Sequence, residues 1–505
     1  MTPPDASARL AAPGGGAAGS RLRSAGLVLA PLLFLALLFL PLPGLKPEAH
    51  RLAAVMVAVA ILWITEALPL PMTALGGAAA CVVLQVAPAK DVFAPFADPL
   101  MFLFIGSFML SQALFKHGLD KRVAYAVLAV PWIRGQPWRM MAAFGTVTAA
   151  MSGWISNTAT TAMMFPIGLA LLGLLFESER RAGRPPSHGY ATGLMLMTTF
   201  AASVGGLATP VGTPPNVIGI GFIERLTGAE LTFFEWSLLG TPAAALLVCF
   251  LIAFLGRACR AGVSEIEGAA ELVARERAKL GHWTTGQRST ALAFAVAVAL
   301  WVIPGVVALL AGEASEPYRA LQRSLPEGVA ALAGALLLFL LPGERGERAI
   351  DWDDAVRIDW GVVLLYGGGF ALGVLSFQTG LAEAAGRGLT GLLPINGPFS
   401  LLVASTLVAV LLSETTSNTA SANMVVPVVI SISQAGGFDP LLPALGATMG
   451  ASLGFMLPVS TPCNAIVYGS GLVPLRSMMR YGVALDAAGI VVVVAVVWLL
   501  GRFVS

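Results

Sequence analysis

Apolar stretches about as long as a bilayer is thick recur along this chain, separated by short polar segments. A membrane helix needs about 20 largely apolar residues. That length picks out spans near 25–41, 51–69, 72–88, 98–115, 190–222, 234–256, 289–311, 327–342, 360–382, 438–471 and 482–503. Two further stretches do not fit single spans. Met141 to Phe176 runs without a charge, and its middle holds Ser156-Asn157-Thr158-Ala159-Thr160-Thr161. Asn396 to Gln434 repeats the design around Ser413-Glu414-Thr415-Thr416-Ser417-Asn418-Thr419. A polar interruption in an apolar segment is tolerated only where protein or a water-filled cavity satisfies the backbone. Both stretches are therefore expected to be re-entrant hairpins with tips at membrane depth. The fold class is an all-α polytopic membrane protein of about 11 transmembrane helices plus two hairpins.

Composition agrees. Of 505 residues, 57% are hydrophobic and 11% charged, where soluble domains carry roughly 25% charge. A soluble surface cannot be covered so sparsely. The net charge of +2 leaves no basic face for nucleic acid. Cys81, Cys249, Cys259 and Cys463 form no close pairs, so neither a disulfide framework nor a zinc site is expected. His50, His117, His188 and His282 lie in or near predicted loops and do not cluster. The Ala/Gly/Pro-rich start reads as a disordered tail over 1–24, and no cleavable signal peptide is expected. Placing the N-terminus in the cytoplasm and the C-terminus outside puts 22 of the 30 basic residues inside and 8 outside, as the positive-inside rule favours for an inner (plasma) membrane protein.

The two halves repeat each other. Gly106, Phe108 and Gly118 recur as Gly368, Phe370 and Gly380, 262 residues later, and Asn157 as Asn418, 261 later. Gly212-Thr213-Pro214-Pro215-Asn216 recurs as Ser460-Thr461-Pro462-Cys463-Asn464, 248 later. Five full spans separate the hairpins, and an odd number inverts the second copy. Inverted repeats with broken helices mark secondary transporters. Proline breaks the helical ladder, so spans 190–222 and 438–471 should each be two half-helices joined by an unwound loop.

Each repeat thus pairs a hairpin tip with an unwound helix. Hydroxyls and freed carbonyls suit a hard cation such as sodium, and half-helix N-termini attract anions. Asn157 and Asn418 can serve both, since an amide accepts and donates. Ser152 and Ser156, like Ser413 and Ser417, stand four apart, a spacing that on a helix puts both hydroxyls on one face. Segments 141–176 and 191–222 hold no charge, and Glu414 is the only one in 396–434. Glu414 reads either as a proton-coupling carboxylate or as a hydrogen-bonding anchor at the tip, the second being favoured. A Cys463 nucleophile would need a base nearby, and none is evident, so the chain is not expected to be an enzyme. An anion channel would lack the tight coupling of substrate to cations that this site implies.

Trp63-Ile64-Thr65-Glu66-Ala67-Leu68-Pro69, the two Ser-Asn-Thr tips and the two proline-containing blocks together resemble the divalent anion:sodium symporter family, di- and tricarboxylate transporters of the ion transporter superfamily. The resemblance runs from about residue 25 to the C-terminus. It implies an elevator-type homodimer that moves di- or tricarboxylates, or sulfate in some branches, with sodium as coupling ion and no other cofactor. By position, one sodium site takes Ser152, Ser156, Asn157 and Gly212, and the other Ser413, Ser417, Asn418 and Ser460. Substrate carboxylates meet Asn157, Thr158, Asn418 and Thr419, with Thr213, Pro214, Thr461 and Pro462 lining the site. Ser460 and Cys463 depart from the family pattern, which has a small apolar residue and a second proline there. The implied division is a cytoplasmic tail (1–24), first-repeat scaffold helices (25–139), a first-repeat transport part (140–256), a cytoplasmic linker (257–288), second-repeat scaffold helices (289–394) and a second-repeat transport part (395–505). The expected function is sodium-coupled import of a C4-dicarboxylate such as succinate, malate or fumarate. A sodium-independent or proton-coupled exchanger, or a tricarboxylate or sulfate transporter, are the alternatives. Exchanger branches are expected to place cationic side chains near the ion sites, and their absence here favours symport.

Overall fold

The computed structural model of the chain describes residues 17–504 apart from Arg134, Glu313 and 391–396. Among these, every regular element is a helix, and the β-pairing is limited to an isolated bridge between Pro342 and Arg348. Ten helices are long and apolar enough to cross a membrane. The number is eleven if Glu316–Ser324 and Glu327–Leu340, bent by 61°, count as one span.

Both hairpins are present as helix pairs, Pro137–Ser152 with Asn157–Arg181 and Pro398–Thr415 with Asn418–Ala435. A proline opens each first arm, where its missing N–H has no intrahelical partner to lose. Ser156 and Ser417 cap the second arms by accepting the N–H of Ala159 at 3.3 Å and of Ala420 at 3.2 Å. Even the proline inside the second arm recurs, as Pro166 and Pro427. Both expected broken spans are broken. His188–Gly205 gives way to two short 3-10 turns, Gly206–Ala208 and Pro210–Gly212, before Pro214–Thr227. Leu441–Gly450 is followed by irregular chain over 451–461 and then by Pro462–Tyr468.

The repeats interlock through their remaining helices. Gly106 on Pro99–Lys116 lies against the Ala331 main chain on Glu327–Leu340, and Gly368 on Trp360–Gln378 lies against Ala74 on Leu70–Val83. The two recurring glycines therefore lie where the repeats cross, Pro99–Lys116 on Glu327–Leu340 and Trp360–Gln378 on Leu70–Val83, the close approach that small residues allow in membranes. The Trp63–Pro69 motif forms a turn in this part of the molecule: Glu66 is left-handed (φ 47°) and the Trp63 indole donates to Leu70 O at 3.2 Å.

Four boundaries differ from expectation. The span expected over 72–88 is the 14-residue helix Leu70–Val83, ended by left-handed Gln85 (φ 55°). The first helix starts at Ala17, inside the stretch read as tail, while residues 1–16 lie outside the described residues. The last helix starts at Leu475 and takes in Arg476 and Arg480. The expected linker contains the helix Ala269–Lys279. A length-and-hydropathy ruler also passes over two 10-residue amphipathic helices, Leu119–Leu128 and Leu381–Thr390, because each is short and carries charge. Each follows a left-handed glycine, Gly118 (φ 64°) and Gly380 (φ 83°), a conformation that costs a side-chain-bearing residue energy. Leu119–Leu128 packs on the first hairpin and Leu381–Thr390 on the second.

Candidate functional site

The first tip is built around Asn157. Ser152, at the end of the first arm, donates to Asn157 Oδ1 at 2.7 Å. The unwound loop closes over the tip: Thr209 donates its hydroxyl to Gly153 O, and Gly206 packs so tightly on the Asn157 amide that any Cβ there would collide. Gly212 backs onto the Gly206 carbonyl at 2.5 Å from where a Cβ would lie. Asn216 ties the loop off, its Nδ2 donating to Gly206 O at 2.9 Å and Thr209 O at 2.8 Å.

The second tip repeats this plan around Asn418. Ser413 Oγ lies 2.8 Å from Asn418 Oδ1 and 2.7 Å from Ala451 O, and Asn418 Nδ2 donates to Ser452 O at 3.4 Å. Asn464 Nδ2 donates to Gly454 O at 3.2 Å and Leu457 O at 3.0 Å, the carbonyls 248 positions after those bound by Asn216. Asn216 and Asn464, both fully buried, are thus the loop ties of the two units. Sequence reasoning gave them no role, although their identical place in both proline-containing blocks was the available signal.

The paired serines do not share a helix face. The chain breaks between Ser152 and Ser156 and between Ser413 and Ser417, so the first of each pair bonds the asparagine and the second caps the next helix. Position i+4 aligns side chains only where the helix continues, and here the tip interrupts it.

Glu414 is an anchor. Its carboxylate accepts the N–H groups of Phe455, of Met456 at 2.8 Å and of Leu457 at 3.2 Å, and the Ser460 hydroxyl at 2.8 Å. These N–H groups belong to irregular chain with no helical partner, and a buried unpaired N–H costs about 1–3 kcal/mol. The Ser460 hydroxyl is therefore turned to Glu414, so only its main chain can serve an ion, as at the glycine in the matching position, Gly212. Thr461 caps its helix by accepting Asn464 N–H at 3.1 Å. Thr213 is buried without such a bond.

The two units meet. Pro462–Tyr468 packs on the first hairpin's second arm, and Pro214–Thr227 packs on the second hairpin's. Cys463 Sγ is 3.9 Å from Thr158 Oγ1, Thr199 donates to Asn464 Oδ1 at 2.6 Å, and Phe200 meets Phe455 edge-on at 5.3 Å. Thr158 and Pro462 are exposed and Asn157, Asn418, Thr419 and Pro214 half-buried, so all six have surface open to a ligand. Cys463, placed in the sequence as a departure, is buried between the repeats. The helices Asn157–Arg181, Asn418–Ala435 and Pro214–Thr227 all begin in this part of the molecule with the positive ends of their dipoles; the first two also bring free N–H groups in their first turn, whereas Pro214–Thr227 opens on two prolines and its Asn216 N–H bonds Thr213 O. Carbonyls and hydroxyls for cations thus lie beside N–H groups for an anion, with no basic residue among the tip and loop residues.

Comparison with known proteins agrees with this architecture. The sodium:sulfate symporter transmembrane region matches residues 22–504. The sodium-dependent dicarboxylate transporter SdcS of Staphylococcus saprophyticus is 32% identical over 482 residues, covering 94% of this chain and 91% of that protein. The protein of the same name from Staphylococcus aureus strain bovine RF122 is 31% identical over 479 residues, covering 94% and 90%. Among solved structures, the Neisseria gonorrhoeae efflux pump MtrF is similar with a TM-score of 0.55 at 12% identity, over 95% of this chain and 94% of that one. The Alcanivorax borkumensis YdaH transporter is similar with a TM-score of 0.50 at 12% identity, over 96% and 98%. At that identity these two speak for the fold alone. With its two tip-and-loop units and a match from residue 22 to residue 504, the chain belongs to the divalent anion:sodium symporter family.

Proposed function

We propose that this protein imports a C4-dicarboxylate of the succinate, malate or fumarate type across the plasma membrane by sodium-coupled symport. The observation that carries the reading is the pair of matched, nearly uncharged units whose helix N-termini converge. Sodium is held in the first by Ser152, Ser156, Asn157 and the Gly212 main chain, and in the second by Ser413, Ser417, Asn418 and the Ser460 main chain. The substrate carboxylates meet Asn157, Thr158, Asn418 and Thr419, with Thr213, Pro214, Thr461 and Pro462 around them. The relatives' names, sodium-dependent dicarboxylate transporters, support both the ion and the substrate class.

Coupling follows from charge balance. Removing an anion from water costs several kcal/mol, and helix ends supply about 0.3–2 kcal/mol each. Two opposite unit charges 4 Å apart attract by about 4 kcal/mol at an effective dielectric of 20. The dianion is therefore held only when cations are bound beside it, and cations are held best when it is present. The movement is an elevator: the hairpins, broken helices and the helices after them shift as one body against the remaining helices, in a homodimer joined through the latter. The N-terminus lies in the cytoplasm and the C-terminus outside.

Radiolabelled succinate uptake into proteoliposomes, with and without an inward sodium gradient, tests this. Accumulation that requires sodium is the expected result. Uptake indifferent to sodium overturns symport, and no uptake of any dicarboxylate overturns the substrate class.

A further inference from the structure

Two ends of the scaffold are built alike. The Trp301 indole donates to the carbonyl of Glu327, the first residue of Glu327–Leu340, at 3.1 Å. The Trp63 indole donates to the carbonyl of Leu70, the first residue of Leu70–Val83, at 3.2 Å. Gly334 lies against Ala297 as Gly77 lies against Val59. Both comparisons give the same offsets, 238 between Pro47–Thr65 and Thr285–Ala311 and 257 between Leu70–Val83 and Glu327–Leu340. An inverted repeat sets two such ends toward opposite faces of the membrane.

The transport part is seated on the Trp301 end. Phe233, at the start of Phe233–Ala258 and 2% exposed, stacks on the Trp301 ring with centroids 4.9 Å apart and planes inclined by 7°. Its N–H donates to the Glu327 carboxylate, and Phe234 lies against Gly305. Trp154, at the first tip, stacks on Phe233 at 6.0 Å and meets Phe294 edge-on at 5.5 Å. The matching residues of the second unit are exposed. Phe233–Ala258 and Leu475–Leu500 are both 26 residues long and align at an offset of 242, where Gly240 and Gly482 coincide, each pressed on the unwound chain of its own unit. Leu475 then matches Phe233 and is 42% exposed. Thr415, 261 positions after Trp154, is exposed too. Leu475–Leu500 packs on Phe233–Ala258, Pro398–Thr415 and Leu441–Gly450, all within the proposed transport part.

We propose that the Trp63 end is a second dock for the transport part: at the other limit of its travel, Leu475 and Thr415 seat on Trp63, Leu70 and Met56, as Phe233 and Trp154 seat here on Trp301, Glu327 and Phe294. The docks are unequal. Leu475 has no ring to stack on Trp63, and Leu70 has no side-chain acceptor for the N–H at position 475, so the ligand-free transport part favours the Trp301 dock. The inference rests on the elevator reading. Two cysteine pairs in proteoliposomes test it, Glu327→Cys with Phe233→Cys at the observed dock and Leu70→Cys with Leu475→Cys at the proposed one. Each is treated with a short bifunctional thiosulfonate, with wild type treated alike as control. Both pairs are expected to crosslink, and each crosslink to stop succinate uptake until reductant is added. Absence of the Leu70–Leu475 crosslink overturns the second dock, as does uptake that continues through it. Uptake that continues through the Glu327–Phe233 crosslink brings down the elevator reading instead. Should Phe233→Cys not fold, Trp154→Cys with Phe294→Cys and Thr415→Cys with Met56→Cys report on the same two docks. Phe233→Leu, added to the Leu70–Leu475 pair, removes the aromatic stack and is expected to speed that crosslink about 2- to 10-fold. An unchanged rate overturns the inequality of the docks.

Discussion

The two tip-and-loop units share a backbone plan and differ in how the loop is fastened. In the first, residues 206–213 fold into two 3-10 turns, which satisfy part of their own backbone, and one hydroxyl, that of Thr209, pins them to the tip at Gly153. In the second, 451–461 forms no helix; its Ser460 N–H bonds Leu457 O at 3.2 Å as Gly212 bonds Thr209 O in the first, but the N–H groups of 455–457 find their acceptor in Glu414. The second unit also borrows Thr199 from the first repeat for its tie, Asn464, whereas Asn216 Oδ1 has no hydrogen-bond partner among the described residues. Pseudo-symmetry of the chain path therefore does not carry over to the side chains: the first unit has no acidic residue, and the second holds Glu414 behind its tip.

Removing what the units share should have the largest effect. Asn157→Ala and Asn418→Ala are each expected to reduce sodium-driven succinate uptake to background while detergent-solubilised protein elutes as wild type. Wild-type rates in either would break the paired-site scheme. Next comes Glu414→Gln, which exchanges a four-donor carboxylate for an amide. Hydrogen bonds to charged groups are worth about 1.5–3 kcal/mol each, so thermal unfolding should show a clear loss of stability, larger than for any first-unit loop substitution. The sharper contrast is Thr209→Val against Thr199→Val. Each should cost about 1 kcal/mol, but Thr209→Val should disturb the first unit, and Thr199→Val the second although it lies in the first repeat. Distinct effects on the sodium titration would separate them. The smallest change is expected from Cys463→Ala, because a thiol 3.9 Å from a hydroxyl is a weak partner; uptake should stay within about twofold of wild type.

The sequence made the repeat and its breaks legible because both rest on local chemistry. Prolines at 214 and 462 cannot continue a helix, and polar triplets at 156–158 and 417–419 cannot lie in lipid. It gave no account of what happens across the break. Ser152 and Ser156 look like one helical face on paper, and only the tip geometry separates them. Glu414 was legible as an anchor but its partners were not, since the N–H groups of 455–457 are any residue's backbone. The amphipathic helices after Gly118 and Gly380 were missed for another reason: ten residues that include charges fall below a ruler set by bilayer thickness, although the glycine pair marked their starts.

The crossing of each half-helix onto the other repeat's hairpin has a consequence for biosynthesis. The surface of Asn157–Arg181 that receives Pro462–Tyr468 is made about 280 residues before its cover exists. At roughly 5–20 residues per second, that is on the order of 15 to 60 seconds of translation. Throughout that interval the Asn157 tip sits in the bilayer without its partner wall, a polar patch that chaperones or membrane proteases can recognise. The contacts between the first hairpin and Pro462–Tyr468 can therefore form only once nearly the whole chain has been made.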